Sequence, residues 1–250
     1  MTNNPIIIAN WKMKLSLAET LALAKTLKMK ADKKAEVVVC PTFPALAETA
    51  KVLKGGRIKL GAQDCFWENS GSYTGEVSAP QLKEIGCQFV IIGHSERRKY
   101  LNETDEMIHA KTKAALEAGL TPIICVGETF EQRQEGAKDY VIIHQTTKAL
   151  EGIEIKSHQQ VIVAYEPVWV IGSGQAVSPN AAQEVHDVIR QVLLDLFNLE
   201  VVSNNFRIVY GGSVDQTNVK DFLSLENTSG VLVGMASLRP SDFLPLIKNA

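Results

Sequence analysis

The sequence predicts an α/β fold, a closed (β/α)8 barrel that forms a single domain over residues 1–250. Eight short apolar runs alternate with longer segments of helical periodicity, which is the order of parallel strands joined by helices. The runs are rich in Val and Ile and do not alternate apolar with polar residues, as expected of strands that are covered on both faces. No linker or low-complexity segment separates the units, which favours one closed barrel.

The predicted strands are short and regularly spaced. They lie at residues 6–9, 37–40, 58–61, 89–92, 122–126, 161–165, 207–210 and 231–233. The alternative is an open, doubly wound sheet, which usually has a Gly-rich dinucleotide turn after its first strand. Here the first strand is followed by Asn10-Trp11-Lys12, so the closed barrel is preferred.

Capping signals and an apolar stripe support the predicted helices. Two helices begin with capping-box spacing, Ser16 with Glu19 and Ser78 with Gln81. Ser178-Pro179 has the pattern of an N-cap followed by proline at the first helical position. In the helix that follows, apolar residues recur every three or four positions and form one stripe: Val185, Val188, Ile189, Val192, Leu193 and Leu196.

Composition and missing motifs exclude several classes of function. The formal net charge of −2 argues against a nucleic-acid-binding protein, which would carry a strong basic excess. No apolar run approaches the roughly 18–20 residues of a membrane span, and the amino terminus lacks the regions of a signal peptide. The sequence has no Gly-rich nucleotide loop, H-E-x-x-H metal motif or nucleophile elbow. We therefore expect a cytoplasmic protein without a membrane or a nucleic acid as partner.

The four cysteines are expected to be structural. They are widely spaced and form no C-x-x-C pair: Cys40, Cys65, Cys87 and Cys125. Cys40 and Cys125 lie within predicted strands. Reduced, buried thiols that behave as small hydrophobic side chains are therefore the expectation.

Polar residues and glycines follow the predicted strands at their carboxyl ends, where barrel enzymes carry their chemistry. Gly211, Gly212 and Gly234 follow the last two strands, where such barrels frequently bind phosphate through backbone N–H groups. A Gly-Gly pair alone is better explained by a tight turn, but together with Gly172 and Gly174 the set favours a phosphate site. The other residues at strand ends are Asn10, Lys12, Gln63, His94, Ser95, Glu96, Glu166 and Ser213.

Glu166, His94 and Lys12 have side chains suited to proton chemistry. Glu166 leaves an apolar strand and precedes a proline; partial loss of hydration there suits a general base, although a structural cap is also compatible. His94 precedes a predicted helix start, which disfavours an imidazolium and favours a neutral hydrogen-bond donor. Lys12 is compatible with a Schiff-base nucleophile, a phosphate contact or an ion-pair partner. The set predicts proton abstraction next to a carbonyl of a small phosphorylated sugar.

Five motifs carry a family resemblance: Asn10-Trp11-Lys12, Gly93-His94-Ser95-Glu96-Arg97-Arg98, Ala164-Tyr165-Glu166-Pro167-Val168-Trp169, Tyr210-Gly211-Gly212-Ser213 and Leu232-Val233-Gly234. In this order and spacing the chain resembles the triosephosphate isomerase family along essentially its whole length. The resemblance implies a TIM barrel that reversibly converts dihydroxyacetone phosphate to D-glyceraldehyde 3-phosphate through an enediol(ate), in glycolysis and gluconeogenesis. It implies no metal and no organic cofactor.

The resemblance also implies a role for each site residue. Glu166 would move the proton between two carbons, neutral His94 would donate to the developing oxyanion, and Lys12 would stabilise negative charge. Glu96 would orient Lys12, and Ser95 would hold Glu166 in the empty site. Further substrate contacts would come from Asn10, Gly172, Ser213, Gly234 and Met235.

A lid and a subunit contact follow from the same resemblance. Residues 167–177 would close over the substrate, exclude water and protect the enediolate, with Tyr210 holding the closed lid. The loop 64–78 would interdigitate with a second copy of the chain. Thr74 would then reach the partner's active site, so a homodimer is the expected working form.

Four residues depart from the usual pattern of the family. Met235 stands where a second glycine is usual, so its N–H can bind phosphate only at a φ that a side chain accepts. Val170 and Ser173 replace alanine and threonine in the lid, which is expected to alter closure without removing a chemical group. Asp64 replaces asparagine and adds a charge near the expected subunit contact.

Two other functions remain compatible with the residues. One is another phosphate-binding barrel enzyme, a Schiff-base aldolase that uses Lys12; borohydride trapping with substrate would identify it. The other is an inactive barrel that serves as a binding protein, which an activity assay would identify. The intact set of Lys12, His94 and Glu166 favours the isomerase.

Overall fold

The fold is a closed barrel of eight parallel strands, seen in a computed structural model that describes residues 4–32, 34–171 and 175–250. Each strand pairs with the next in the chain, and the last pairs with the first, Ile7 lying opposite Val231. The predicted fold class is thereby confirmed, with strand ends that differ by a residue. The strands are β1 Ile6–Asn10, β2 Glu36–Cys40, β3 Lys59–Ala62, β4 Phe89–Ile92, β5 Thr121–Val126, β6 Val161–Tyr165, β7 Phe206–Tyr210 and β8 Gly230–Val233.

Eleven α-helices occur in the described part of the chain, more than the one per strand that the alternation predicts. The additional helices lie after β4, β5 and β6, where each connection carries two. The helices are α1 Leu17–Lys30, α2 Leu46–Leu53, α3 Ala79–Ile85, α4 Ser95–Leu101, α5 Asp105–Glu117, α6 Phe130–Gln134, α7 Lys138–Leu150, α8 Pro179–Leu196, α9 Leu199–Asn205, α10 Val219–Leu223 and α11 Pro240–Asn249. Short 3₁₀ turns lie at Phe43–Ala45, Val168–Val170 and Met235–Ser237.

The predicted capping residues start their helices. The Ser16 hydroxyl accepts a hydrogen bond from the Glu19 amide at 3.3 Å, and the Glu19 carboxylate accepts one from the Ser16 amide at 2.8 Å. Ser78 caps α3 in the same reciprocal way. Ser178 caps α8, which begins at Pro179 and buries most of its apolar stripe. The capping interactions satisfy amides that have no partner within the helix.

The core has two layers because side chains on successive strand residues face opposite sides. Ile6 and Ile8 of β1 belong to the cluster inside the barrel. Ile7 and Ala9 belong to the layer between the strands and the helices. Both sets are fully buried, which explains why the strands do not alternate apolar with polar residues.

All four cysteines are free and buried, as predicted. Cys40 and Cys125 lie inside the barrel, while Cys65 and Cys87 pack in the outer layer. Among the described residues, no helix is both long enough and apolar enough to cross a membrane.

Candidate active site

A cavity of about 290 Å³ opens at the carboxyl ends of the strands. Because all strands are parallel, the residues that follow them converge at this one end of the barrel. The cavity brings together nine residues that the sequence predicted for the site: Asn10, Lys12, His94, Glu166, Gly211, Gly212, Ser213, Gly234 and Met235. Within residues 4–32, 34–171 and 175–250, no group of His, Cys, Asp and Glu side chains is arranged to hold a metal ion.

Glu166 follows β6 and is almost completely buried at the base of the cavity, with 2% of its surface exposed. One carboxylate oxygen, Oε1, lies 3.1 Å from Nε2 of His94. The other, Oε2, accepts a hydrogen bond from the backbone N–H of Ser95 at 3.1 Å. The carboxylate is therefore held by one side chain and one backbone amide.

His94 is the N-cap of α4, and its ring acts as the cap. Nδ1 of the ring accepts a hydrogen bond from the Glu96 backbone N–H at 3.2 Å. A backbone N–H can only donate, so Nδ1 carries no proton in this arrangement. The proton of the neutral ring then lies on Nε2, which points to the Glu166 carboxylate. The geometry thus favours the neutral donor that the sequence predicted.

Lys12 has a left-handed backbone, with φ at 49°, and a charged partner for its side chain. Its Nζ lies 2.7 Å from Oε1 of Glu96, as the resemblance implied. Its backbone N–H donates to Oδ1 of Asn10 at 3.0 Å, and its carbonyl accepts from Nε2 of Gln63 at 2.9 Å. A non-glycine residue at positive φ is strained, so Asn10 and Gln63 support the conformation that aims Lys12 into the cavity.

Two glycines after β7 make room for other side chains. An atom at the Cβ position of Gly211 would lie 2.9 Å from Cγ of Glu166, and one at Gly212 would lie 2.1 Å from the Tyr210 hydroxyl oxygen. The Gly211 amide donates to the Tyr165 carbonyl at 2.7 Å. The geometry therefore explains Gly211 by its packing against Glu166 and not by a contact with phosphate.

Met235 begins the 3₁₀ turn Met235–Ser237 at the rim of the cavity and is 64% exposed. Across the described chain, the non-glycine residues with positive φ are Lys12, Asn102 and Asn227. Met235 therefore adopts a φ that a side chain accepts, and its substitution for glycine is sterically tolerated.

The segment 167–177 is described only at its two ends. Nε1 of Trp169 donates to Oε1 of Glu128 at 3.0 Å, and the Tyr165 hydroxyl lies 3.3 Å from the same oxygen. At the other end, the Val177 amide donates to the Tyr210 hydroxyl at 3.3 Å. Val170 is buried, with 1% of its surface exposed. The predictions for Gly172, Ser173 and Gly174 concern positions outside the described residues.

Sequence reasoning missed two residues beside Glu166. Gly127 lies so close that an added Cβ would be 1.8 Å from the Glu166 carbonyl oxygen. Glu128 is fully buried and accepts hydrogen bonds from the lid residue Trp169 and from Tyr165. Both follow β5, and their place at a strand's carboxyl end is the signal that could have found them.

Asp64 belongs to a buried cluster of four charged side chains. Its carboxylate accepts from Nζ of Lys111 at 2.7 and 2.9 Å and lies 2.8 Å from Arg97. Glu103 binds the same two cations, contacting Nε of Arg97 at 2.6 Å and Nζ of Lys111. Burial raises the pKa of Asp64 to about 6, against the attraction of Lys111 and Arg97. Its carboxylate is therefore directed towards partners in the same chain.

The loop 64–78 projects from the barrel after β3. The Phe66 amide donates to the Val77 carbonyl at 2.8 Å and closes the base of the loop. The rings of Phe66 and Trp67 stack at 4.0 Å, and Tyr73 packs on Phe66 at 4.6 Å. Residues 68–76, which include Thr74, are exposed.

Comparison with known proteins gives one consistent result. The family model described as triosephosphate isomerase matches residues 5–250. Triosephosphate isomerase of Dictyoglomus thermophilum is 46% identical over 246 residues, 98% of each chain. That of Thermoanaerobacter sp. (strain X514) is 47% identical over 244 residues, 97% of this chain and 98% of the relative. The crystal structure of triosephosphate isomerase from Bartonella henselae matches with a TM-score of 0.89 at 36% identity and covers 98% of both chains.

Proposed function

The chain belongs to the triosephosphate isomerase family, and from that premise we propose how its own residues carry out the reaction. It is an isomerase that interconverts dihydroxyacetone phosphate and D-glyceraldehyde 3-phosphate, a step of glycolysis and gluconeogenesis. The observation that carries the proposal is the contact between a buried carboxylate and an imidazole, with Glu166 Oε1 and His94 Nε2 3.1 Å apart.

Glu166 is the base that takes a proton from one carbon of the triose and returns it to the next. In the empty site its carboxylate is held by Ser95 and His94 and is nearly excluded from water. Low hydration leaves a carboxylate more reactive towards a carbon acid, because it has fewer water hydrogen bonds to give up. Substrate replaces the contacts with Ser95 and His94, so the carboxylate reaches the substrate carbon.

His94 polarises the substrate carbonyl and moves protons between the two oxygens of the enediolate. The Glu96 amide on Nδ1 leaves Nε2 as the donor, and Nε2 faces the cavity floor. A donor fixed before the reaction stabilises the developing oxyanion without reorganisation. Neutral imidazole is suited to this role because it is a weak acid, close in strength to an enediol. Imidazolium is a stronger acid and matches the enediol less closely.

Lys12 supplies positive charge to the bound substrate. Its ion pair with Glu96 at 2.7 Å holds Nζ at the cavity wall, and Asn10 supports its backbone and adds a polar contact of its own. The same ion pair argues against a Schiff-base aldolase, because Nζ of Lys12 is engaged by the Glu96 carboxylate, whereas a nucleophilic amine must be free to attack a carbonyl.

The phosphate group binds at the loops after β7 and β8. Ser213, Gly234 and Met235 line this side of the cavity, and Gly172 of the lid is the fourth proposed contact. Backbone N–H groups at such turns bind anions, and Met235 keeps an allowed backbone conformation for this purpose.

The lid 167–177 closes over the bound substrate and excludes water from the enediolate. Its first part is anchored through Trp169 on Glu128, and its last part through Val177 on Tyr210. Anchors at both ends restrict the motion to the residues between them, which supports a hinged closure.

We propose a homodimer in which the loop 64–78 of each subunit enters the other subunit. The loop is exposed over residues 68–76. Trp67 stacks on Phe66 and Tyr73 packs against Phe66, which preorganises the loop for binding. Thr74 lies within the exposed part and is the residue proposed to reach the partner's active site.

A cytoplasmic location is the final part of the proposal. Four free, buried cysteines fit a reducing compartment, where disulfides are rare.

The decisive experiment couples isomerisation to NADH oxidation and compares the wild type with Glu166→Asp. The shorter side chain withdraws the carboxylate by about 1 Å, and misplacement on this scale costs about 10²-fold in rate. Glu200→Asp is the matched control, because Glu200 is exposed on α9, away from the cavity. An unchanged rate in Glu166→Asp would show that Glu166 is not the base.

A further inference from the structure

The accessible sulfur atoms of the described chain belong to methionines. Burial raises the pKa of the Cys65 and Cys87 thiols to about 12, so these thiols stay protonated near neutral pH and react slowly with oxidants. Cys40 and Cys125 are enclosed inside the barrel. Among the described residues, three methionines are exposed instead, over 91%, 80% and 64% of their surface: Met13, Met29 and Met235. A two-electron oxidant therefore reaches thioethers before thiols.

Of these three methionines, Met235 lines the cavity that holds Lys12, His94 and Glu166. Its neighbour Gly234 lies against the Lys12 side chain, since an atom at the Cβ position of Gly234 would be 3.5 Å from Cε of Lys12. Met235 is thus exposed to solvent and also belongs to the wall of the substrate cavity.

The backbone at Met235 is fixed, so a chemical change of the side chain acts on the cavity directly. The Gly234 carbonyl accepts a hydrogen bond from the Ser237 amide at 2.9 Å and another from the Ser237 hydroxyl at 2.6 Å. Ser237 itself is fully buried. These bonds keep Cα of Met235 at the cavity wall, so a modified side chain can be displaced only by rotation about its own bonds.

We propose that Met235 is an oxidation site at which sulfoxide formation weakens the binding of triose phosphate. The proposal rests on the isomerase function given above. The oxidant is a peroxide: one oxygen atom passes from hydrogen peroxide to Sδ, the sulfur loses two electrons, the O–O bond breaks and water leaves. Methionine sulfoxide reductases reverse the reaction, one enzyme for each sulfoxide epimer.

The sulfoxide opposes the substrate electrostatically. Its oxygen accepts hydrogen bonds but cannot donate them, and it stands in a cavity wall that must receive a phosphate dianion. It repels the phosphate oxygens and competes with them for the Lys12 ammonium group. The phosphate does not change during the reaction, so KM rises and kcat stays the same. We expect KM to rise about tenfold, the effect of losing one hydrogen bond to a charged group.

The test measures KM and kcat of the purified enzyme before and after treatment with hydrogen peroxide. Peptide mass spectrometry gives the oxidised fraction at each methionine. Met235→Leu removes the sulfur and keeps an apolar side chain, and it is compared with its own untreated sample. Met29→Leu is the control, because Met29 is 80% exposed and lies on α1, outside the residues that line the cavity. Met13→Leu measures how much oxidation of Met13, the remaining exposed methionine, contributes to any change in KM.

The expected result is a rise of KM in the wild type and in Met29→Leu that follows the oxidised fraction of Met235. Both reductases together should restore the original KM, and Met235→Leu should show a ratio of treated to untreated KM near one. An unchanged KM at complete oxidation of Met235 overturns the proposal, and so does an equal rise in Met235→Leu.

Two readouts separate this proposal from the isomerase function. Turnover by the untreated enzyme tests the function alone. The affinity for inorganic phosphate, measured by calorimetry before and after peroxide, tests the oxidation site without any turnover. If the untreated enzyme does not isomerise triose phosphates but oxidation of Met235 still weakens phosphate binding, only the function is refuted.

Discussion

Replacing Asp64 by asparagine should stabilise the protein near neutral pH and remove part of its pH dependence. Burial raises the pKa of this carboxyl to about 6, although Lys111 and Arg97 both contact it. In the unfolded chain the ordinary value is 3.8. The cost of removing the carboxylate from water, together with the repulsion from Glu103, therefore exceeds the attraction of its two cations.

The magnitude follows from linkage. Between about pH 4 and pH 6 the folded state binds more protons at Asp64 than the unfolded state, so the free energy of unfolding falls as the pH rises through this window. Two pKa units correspond to about 3 kcal/mol, which is the upper limit of the gain from removing the charge above pH 6. The gain should vanish towards pH 4, because Asp64 is then protonated and neutral.

The assay is urea unfolding of wild type and Asp64→Asn from pH 4 to pH 8, at one protein concentration because association affects stability. The control is Asp195→Asn, an exposed position on α8, which should change stability by less than about 0.5 kcal/mol. A variant that is less stable than the wild type at pH 7.5 would refute the reasoning, because it would mean that the cations outweigh the burial cost.

Three further predictions concern the site and its surroundings. Gly127→Ala should displace Glu166 and reduce kcat by about 10²-fold, because its Cβ would lie 1.8 Å from the Glu166 carbonyl oxygen. The coupled assay measures kcat, and circular dichroism confirms that the variant folds. Met235→Gly should lower KM a few-fold if the side chain crowds the phosphate; an unchanged KM would mean that it points away. Burial lowers the pKa of His186 to about 4, so folding stability should fall as the pH drops from about 6.5 to 4. His186→Asn should lose this slope in urea titrations; a slope that persists would assign it to another group.

The barrel was predictable because its strands are buried on both faces. Most strands appear in the sequence as mainly apolar runs, although β3 contains Lys59 and β7 contains Arg207. Because both faces are buried, the strands can be placed without an alternation of apolar and polar residues. The helices were less predictable. α6 and α9 have five and seven residues, too few for a periodic apolar face to stand out from a loop. The helix count was therefore wrong while the strand count was right.

The candidate site was predictable where a residue's position in a strand determines its place in the barrel. Glu166, His94 and Lys12 each follow a strand, and parallel strands bring them to one cavity. The position of Gly127 after β5 could have been noticed, but its close approach to Glu166 was not predictable, because it depends on how two neighbouring strands end. The charge cluster was not predictable either, since Asp64 and Lys111 are 47 positions apart in the sequence.

The junction of β4 and α4 explains why the base and the donor are positioned together. The first amides of a helix have no partner within it, and here two of them bind functional side chains: the Ser95 amide binds Glu166, and the Glu96 amide binds His94. The turn before them needs glycine, because Gly93 has φ of 70° and an added Cβ would lie 2.7 Å from Cδ1 of Ile108. A side chain at position 93 would shift both amides at once. The Glu166 carboxylate would lose its hydrogen bond from the Ser95 amide, and the His94 ring would lose the hydrogen bond that determines its tautomer. One backbone turn therefore controls both groups that take part in the proton transfer.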